Sequence, residues 1–150
     1  MRKILHPTDF SECSEAAREQ AAAFARSLSA EVILLHVLVE APLYSEGWIN
    51  AKDVRRVYDA ERKWVEETLE VRAAEMRQAG VATRWKTEVG NPFEEIVLTA
   101  EEEGVDLVVM GTHGWSGLDR LLLGSVADRV IRTAPCPVVT VRAPKNVGGR

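Results

Sequence analysis

An almost continuous apolar run in the first third of the chain limits the folds open to this sequence. Residues 32–39 read VILLHVLV, and His36 is the one polar residue among the eight. A strand with one face in water alternates apolar and polar residues, whereas a strand covered on both faces is apolar throughout. The run therefore predicts a central strand of a parallel sheet, and such a sheet needs helices on both of its faces.

Shorter apolar runs alternate with amphipathic stretches along the rest of the chain. They predict further strands at residues 3–6, 81–89, 105–110 and 138–141. Apolar residues recur at helical spacing over residues 11–28, 52–78, 91–104 and 125–133. The order βαβαβαβαβ predicts one α/β domain over residues 1–150, with a parallel sheet and right-handed crossovers.

Local signals mark where several of these elements begin and end. Asn91 and Pro92 form a helix-start signature, and Ser125 is a candidate cap for the last helix. The long helix over 52–78 is predicted to bury a stripe that includes Val57 and Trp64. Residues 41–50 are expected to form an irregular surface segment and residues 143–150 a frayed tail.

Composition narrows the classes of partner. The net charge is −4, so there is no broad basic excess and we expect no nucleic-acid partner. Cys13 and Cys136 are too few for a disulfide scaffold and belong to no CxxC motif, which favours reduced packing thiols. The N-terminal residues lack the apolar run of a signal peptide, and no stretch approaches the roughly 20 apolar residues that span a bilayer. We therefore expect a cytoplasmic protein without a membrane partner.

The loop after the fourth strand carries the most specific spacing in the chain. Two residues separate Gly111 from Gly114, and nine separate Gly114 from the pair Gly124 and Ser125. Glycine lets backbone approach a ligand and adopt a positive φ, and a helix start attracts anions. The pattern is compatible with a phosphate cradle and with glycines that only form turns. It is neither a GxxxxGK[ST] loop nor a GxGxxG fingerprint.

The same glycine spacing resembles the nucleotide-binding motif of the ATP-binding branch of the universal stress protein family. The resemblance extends over about residues 2–142 and includes ILHPTDFSE, VILLHV, GVDLVVMGTHG and LLLGSVADRVIRTAPCPVVTVR. It implies a five-stranded parallel sheet in the order 3-2-1-4-5 with helices on both faces. It also implies a site for ATP, with ADP, AMP or a cyclic nucleotide as alternatives. A magnesium ion could be carried on the phosphates of such a ligand.

The resemblance further implies roles for individual residues. Asp9 and Val37 would contact the adenine, and Met110 and Gly111 would follow the ribose to the phosphates. The implied nucleotide-binding residues are Pro7, Thr8, Asp9, Val37, Met110, Gly111, His113, Gly114, Gly124, Ser125 and Val126. Trp115 departs from the family pattern, because many relatives carry a basic residue there. Arg120 is then the one cationic residue among residues 115–123, which separate Gly114 from Gly124.

Each role has an ordinary structural alternative. Asp9 could cap the turn before the first helix, and Val37 and Met110 could be semi-buried core residues. His113, the only imidazole in the loop, could be a solvated loop histidine or a catalytic one. His36, in an apolar strand, is interpreted as a structural histidine with satisfied hydrogen bonds, and His6 similarly.

Three functions stay open at this point. The leading one is a nucleotide-binding stress-response or signalling module. The others are a dimeric interaction module that binds no nucleotide and a weak ATPase. No P-loop lysine is present, so we do not expect an enzyme. The last strand, Val138–Val141, would lie at a sheet edge, and the resemblance implies that it pairs in a homodimer.

Overall fold

A computed structural model describes residues 2–39, 50–113 and 123–144 of the chain. These residues form one parallel sheet of five strands in the order β3-β2-β1-β4-β5. The elements are β1 (Lys3–Pro7), α1 (Glu12–Leu28), β2 (Glu31–Leu38), α2 (Ala51–Gln78), β3 (Thr83–Val89), α3 (Pro92–Glu103), β4 (Leu107–Gly111), α4 (Ser125–Thr133) and β5 (Val138–Val141). The predicted α/β class and strand order are confirmed.

Successive residues of the central strands enter two separate cores. Ile4 and Leu34 pack on one face with α1 and α2, where small alanines of α1 allow close approach to the sheet. Leu5 and Ile33 pack on the other face with α3 and α4. All four side chains are at most 1% exposed. This double coverage is why residues of β2 are apolar without alternation.

Three helices end in the same hydrogen-bond pattern. As a result, two strands begin later than the sequence predicted. The N–H groups of Ala30, Val81 and Val105 each donate to a carbonyl five residues earlier, at 3.0, 3.0 and 3.1 Å. This is the bond that closes a Schellman-type helix end. Val81 and Val105 were predicted to begin strands, but they complete α2 and α3, and β3 and β4 begin two residues later.

The predicted buried stripe of α2 was wrong at two positions. Val65, Leu69 and Ala73 are at most 1% exposed, whereas Val57 is 63% and Trp64 is 56% exposed. At about 100° per residue, the face that contacts the sheet does not include Val57 and Trp64. Trp64 instead reaches a cavity at the edge of the sheet.

His6 lies in the centre of the sheet and is fully buried. Its Nδ1 donates to the Val109 carbonyl at 2.9 Å, and its Nε2 has no partner among the described residues. His6 is therefore only half satisfied, which corrects the expectation of a fully satisfied structural histidine. Burial, which outweighs that hydrogen bond, lowers the pKa of His6 from 6.5 to about 4, so the ring is neutral at physiological pH.

Two further predictions concern residues that the structure does not describe. Residues 41–49 and 145–150 lie outside the described residues, so the predictions for segment 41–50 and for the tail stay predictions. Within the described ranges, no helix combines the length and apolarity needed to traverse a bilayer.

Candidate functional site

A crevice opens where β1 and β4 stop pairing. The β1–β4 register is given by Ile4 with Leu107 and Leu5 with Val108, whereas β1 stays paired with β2 as far as Pro7. The Thr8 N–H donates to Leu35 of β2, so by strand alternation Pro7 faces β4. Proline has no N–H to give there. The first strand was predicted over residues 3–6, whereas Pro7 is the last residue of β1, at the point where the strand order reverses.

A cavity of about 670 Å³ occupies this crevice. Ten of the eleven residues predicted for the site line it: Pro7, Thr8, Asp9, Val37, Met110, Gly111, His113, Gly124, Ser125 and Val126. The eleventh, Gly114, lies outside the described residues. Residues that are far apart in sequence thus meet at one place, beyond the carboxyl ends of β1, β2 and β4.

The turn after β1 is held by its own side chains. Thr8 Oγ1 accepts from the Phe10 N–H at 3.0 Å and from the Ser14 hydroxyl at 2.6 Å. Asp9 Oδ1 accepts from the Ser11 N–H at 2.9 Å, which is the turn-capping role weighed above. Phe10 has φ 64°, a left-handed conformation that is costly for a bulky residue. The turn therefore presents Thr8, Asp9 and Phe10 to the cavity in one defined arrangement.

His36 also lines the cavity, which sequence reasoning did not anticipate. Its Nδ1 lies 2.8 Å from the Thr8 carbonyl, and a carbonyl can only accept, so Nδ1 carries the hydrogen. Its ring stacks on Phe10, with centroids 5.1 Å apart and planes 12° apart. His36 ties the end of β2 to the turn after β1. Its place next to Val37 at a strand end was a usable signal.

Gly111 and Gly124 are required by packing of the chain against itself. A Cβ at Gly111 would lie 2.9 Å from the Cys13 carbonyl carbon, and one at Gly124 would lie 2.7 Å from the Thr112 oxygen. Neither residue has a positive φ. The freedom to adopt positive φ, offered above as one reason for glycine, is therefore not used at these two positions. Close approach is the reason, and it brings β4 and α4 to the cavity.

The start of α4 differs from its predicted form. Gly124 is the N-cap residue, Ser125 is the first helical residue, and no side chain among the described residues caps the helix. The prediction that Ser125 caps α4 was wrong, because Gly124 occupies the N-cap position. The Gly124 N–H donates to the Thr112 carbonyl at 2.8 Å. The first N–H groups of an α-helix have no partner within the helix. Ser125, Val126 and Ala127 line the cavity at this uncapped end.

A short polar chain connects α1 to the loop after β4. Cys13 Sγ lies 3.9 Å from Thr112 Oγ1, which lies 3.0 Å from His113 Nδ1. His113 Nε2 is buried and has no hydrogen-bond partner among the described residues. His113 is thus a partly buried cavity residue, so the alternative of a freely solvated loop histidine is not what the structure has.

The charged groups around the cavity are acidic. Asp9 and Glu61 line it, and no lysine or arginine does so among the described residues. Trp115 and Arg120, whose roles were raised above, lie outside the described residues. In the described ranges, no three His, Cys, Asp or Glu side chains are grouped to hold a metal ion. The described wall therefore offers backbone N–H groups, not cations, to an anion.

Several lining residues were not predicted from sequence. Phe10, Glu61, Trp64, Pro92 and Thr112 all contribute to the wall. Thr112 and Phe10 adjoin predicted residues and could have been included on that ground. Glu61 and Trp64 come from α2, and only the rotation of that helix against the sheet places them here.

The fold and cavity define a doubly wound α/β protein with a ligand crevice at its topological switch point. The sequence profile of the universal stress protein family matches residues 1–142. The chain therefore belongs to the universal stress protein family.

Relatives and solved structures agree with this assignment. The chain is 37% identical to universal stress protein MJ0577 of Methanocaldococcus jannaschii, over 94% of each chain. The solved structure of MJ0577 superposes with a TM-score of 0.84 at 36% identity, covering 97% of this chain and 98% of that one. A universal stress protein solved in complex with cAMP gives a TM-score of 0.71 at 26% identity, covering 95% and 98%.

Proposed function

We propose that this protein binds an adenine nucleotide in the cavity between β1, β4 and α4 and acts as a stress-response or signalling module. The observation that carries the proposal is the convergence of ten sequence-predicted residues on one cavity of about 670 Å³. Sites for small ligands have volumes of roughly 300–1,000 Å³. A nucleotide is of suitable size for this space.

Two parts of the cavity lining differ in a way that suits a nucleotide. The start of α4 has unpaired N–H groups, which together with the helix dipole favour phosphate. The lining also contains the carboxylates of Asp9 and Glu61 together with apolar side chains. Carboxylates repel phosphate and accept hydrogen bonds from an amino group such as that of adenine. This polarity supports an orientation with the phosphates at α4 and the base at Asp9 and Val37.

Individual residues fit the proposed roles. Ser125 supplies a hydroxyl and backbone N–H groups begin at the same turn, so Gly124, Ser125 and Val126 would hold phosphate oxygens. His113 Nε2, which has no hydrogen-bond partner within the described ranges, would supply one further polar contact. Gly114 belongs to the proposed set on sequence spacing alone. A magnesium ion, where present, would neutralise phosphate charge, and we propose that it binds through the phosphates.

A relative also supports the proposal of nucleotide binding. The universal stress protein in complex with cAMP, 26% identical, carries an adenine nucleotide. The lining of this cavity does not favour catalysis: in the described part of the chain it contains no lysine or arginine to stabilise a transferring phosphoryl group. We propose binding without significant turnover, in the cytoplasm, as the main role.

Calorimetric titration tests nucleotide binding directly. We expect ATP with magnesium to bind with a Kd below 100 μM, which corresponds to more than about 5 kcal/mol of binding free energy. ADP, AMP and cAMP are titrated in parallel to rank the phosphate requirement. If none of the four gives heat above the buffer blank at protein concentrations well above 100 μM, the proposal is wrong and the interaction-module alternative gains support.

We also propose a homodimer through β5. This strand is at the edge of the sheet, and all four of its residues are partly exposed. The Pro137 carbonyl accepts from Val108 of β4 and the Val141 carbonyl accepts from Thr112, so by alternation Thr140 directs its backbone to the free edge. An exposed apolar edge favours pairing with another strand.

Sedimentation velocity with an edge variant tests the dimer. We expect a dimer for the wild-type protein at micromolar concentration. Thr140→Pro removes the N–H at the free edge without touching the bonds to β4, and it is expected to be monomeric, whereas Thr140→Ser stays dimeric. A wild-type monomer, or a Thr140→Pro dimer of unchanged stability, would contradict pairing through this edge.

A further inference from the structure

Building on the proposed nucleotide function, we infer that Trp64 of α2 is a ligand-contacting residue that makes the site selective for a flat aromatic base. Trp64 lies on α2, a helix to which the sequence assigned no binding role. We expect Trp64 to contribute to binding of nucleotides but not to binding of the phosphate chain by itself.

The position of Trp64 is set by an aromatic cluster at the cavity wall. Its ring meets Phe10 edge to face, with centroids 5.4 Å apart and planes 85° apart. Phe10 in turn stacks on His36, which is tied to the Thr8 carbonyl. All three side chains line the cavity. The ring of Trp64 thus packs against the same turn that carries Asp9, where we propose that the base binds.

Phe10 holds this cluster in place at a conformational cost. Its φ of 64° is left-handed, although the side chain is large and aromatic. Non-glycine residues in this region persist where surrounding contacts enforce them, and they concentrate at functional sites. Here the enforcing contact is the bond from the Phe10 N–H to Thr8 Oγ1 at 3.0 Å. The strained turn directs an aromatic ring into the cavity and gives Trp64 a surface to pack on.

Exposure of Trp64 alone would not carry the inference, because α2 has other exposed apolar residues. Val57 and Val71 lie seven residues before and after Trp64 and are 63% and 53% exposed. Neither lines the cavity. The difference is that Trp64, 56% exposed, lines the cavity, as does Val39, which is 57% exposed. A flat base that packed on these side chains would cover apolar surface that now faces water.

Glu61 adds a polar group on the same side of α2. It precedes Trp64 by three residues, a spacing that puts both side chains on one helix face, and it also lines the cavity. A carboxylate accepts hydrogen bonds from an amino group and repels phosphate. A base that carries an exocyclic amino group, as adenine does, matches an aromatic ring with a carboxylate beside it.

Paired titrations of ATP and inorganic tripolyphosphate, each with magnesium, test the inference. We expect Trp64→Ala to weaken ATP binding roughly tenfold, since contact with an aromatic side chain contributes at that scale to base binding. Its affinity for tripolyphosphate should stay within twofold of wild type. Trp64→Leu keeps apolar bulk without the flat ring, so its ATP affinity should lie between those of Trp64→Ala and the wild-type protein. Val71→Ala is the matched control on the same helix and should leave both affinities unchanged.

The outcomes separate this inference from the function on which it rests. If wild-type protein binds ATP and both Trp64 variants bind it within twofold of wild type, Trp64 is no ligand contact and only this inference fails. An equal loss for ATP and tripolyphosphate would also overturn it, since that result indicates a structural role. Absence of ATP binding by the wild-type protein overturns both proposals.

Discussion

Replacing Ser125 by glutamate is expected to abolish most nucleotide binding while slightly stabilising the fold. Ser125 is the first residue of α4, and in the described part of the chain no side chain caps that helix. An acidic side chain in the first turn of a helix stabilises it by roughly 0.3–1 kcal/mol. The same charge would stand where we propose that phosphate binds. Two unit charges 4 Å apart near a protein surface repel by about 4 kcal/mol, so an ATP affinity at least about 100-fold weaker is expected.

The opposite signs of these two effects make the experiment informative. ATP affinity is measured by titration and stability by urea denaturation on the same preparation. Ser125→Ala is the matched control, because it removes the hydroxyl without adding charge and should weaken ATP only severalfold. ATP affinity of Ser125→Glu within threefold of wild type would show that phosphate does not bind at the start of α4. A Gly124→Val variant would be a less specific test, because a Cβ at Gly124 would lie 2.7 Å from the Thr112 oxygen and would disturb the packing of the chain.

Acidification between pH 7 and pH 5 is expected to destabilise the protein through His6. Burial lowers the pKa of His6 to about 4, whereas it is 6.5 in the unfolded chain. The unfolded state therefore binds the proton more readily in this window. The contribution of neutral His6 to stability is fully present above pH 6.5 and is lost as pH falls toward 4. The loss between pH 7 and pH 5 is about 2 kcal/mol.

A non-titrating variant isolates this contribution. His6→Asn retains an N–H that can donate to Val109 but has no titratable group. It is expected to be less stable at pH 7, because it fills less of a buried site, and to lose much less stability than wild type on going to pH 5. Urea unfolding at the two pH values measures both slopes. The pKa of Glu103, lowered to about 2 chiefly by its hydrogen bond to Arg84, affects stability only below about pH 4.5 and does not interfere. Equal pH dependence in the two proteins would contradict the prediction.

Sequence periodicity was sufficient for the order and type of the elements, but it did not determine their ends. The strand starts at Val81 and Val105 were misplaced because both residues are apolar and buried, as strand residues are. Their N–H groups nevertheless close the preceding helices. The apolar pattern of a sequence indicates that a residue is buried. The hydrogen-bond partner of its backbone depends instead on the conformation of the local turn.

Some residues of the candidate site could likewise be predicted from the sequence, and others could not. Residues at or just after strand ends, such as Gly111 and Thr8, could be predicted because the carboxyl ends of parallel strands lie at one edge of the sheet. His36 was assigned to a structural role and Trp64 to the core of α2, yet both line the cavity. A helix of 28 residues shows apolar residues on more than one side, and the sequence does not say which side meets the sheet.

By itself the sequence determined the parallel sheet, its helices and the family, because these depend on periodic burial and on a glycine spacing that is local along the chain. Only the tertiary structure decided why the glycines are needed and which side chains complete the cavity. Gly111 and Gly124 allow contact with Cys13 and Thr112, and Trp64 reaches the cavity through the packing of α2. These are contacts between distant segments, and their geometry depends on how whole elements dock together.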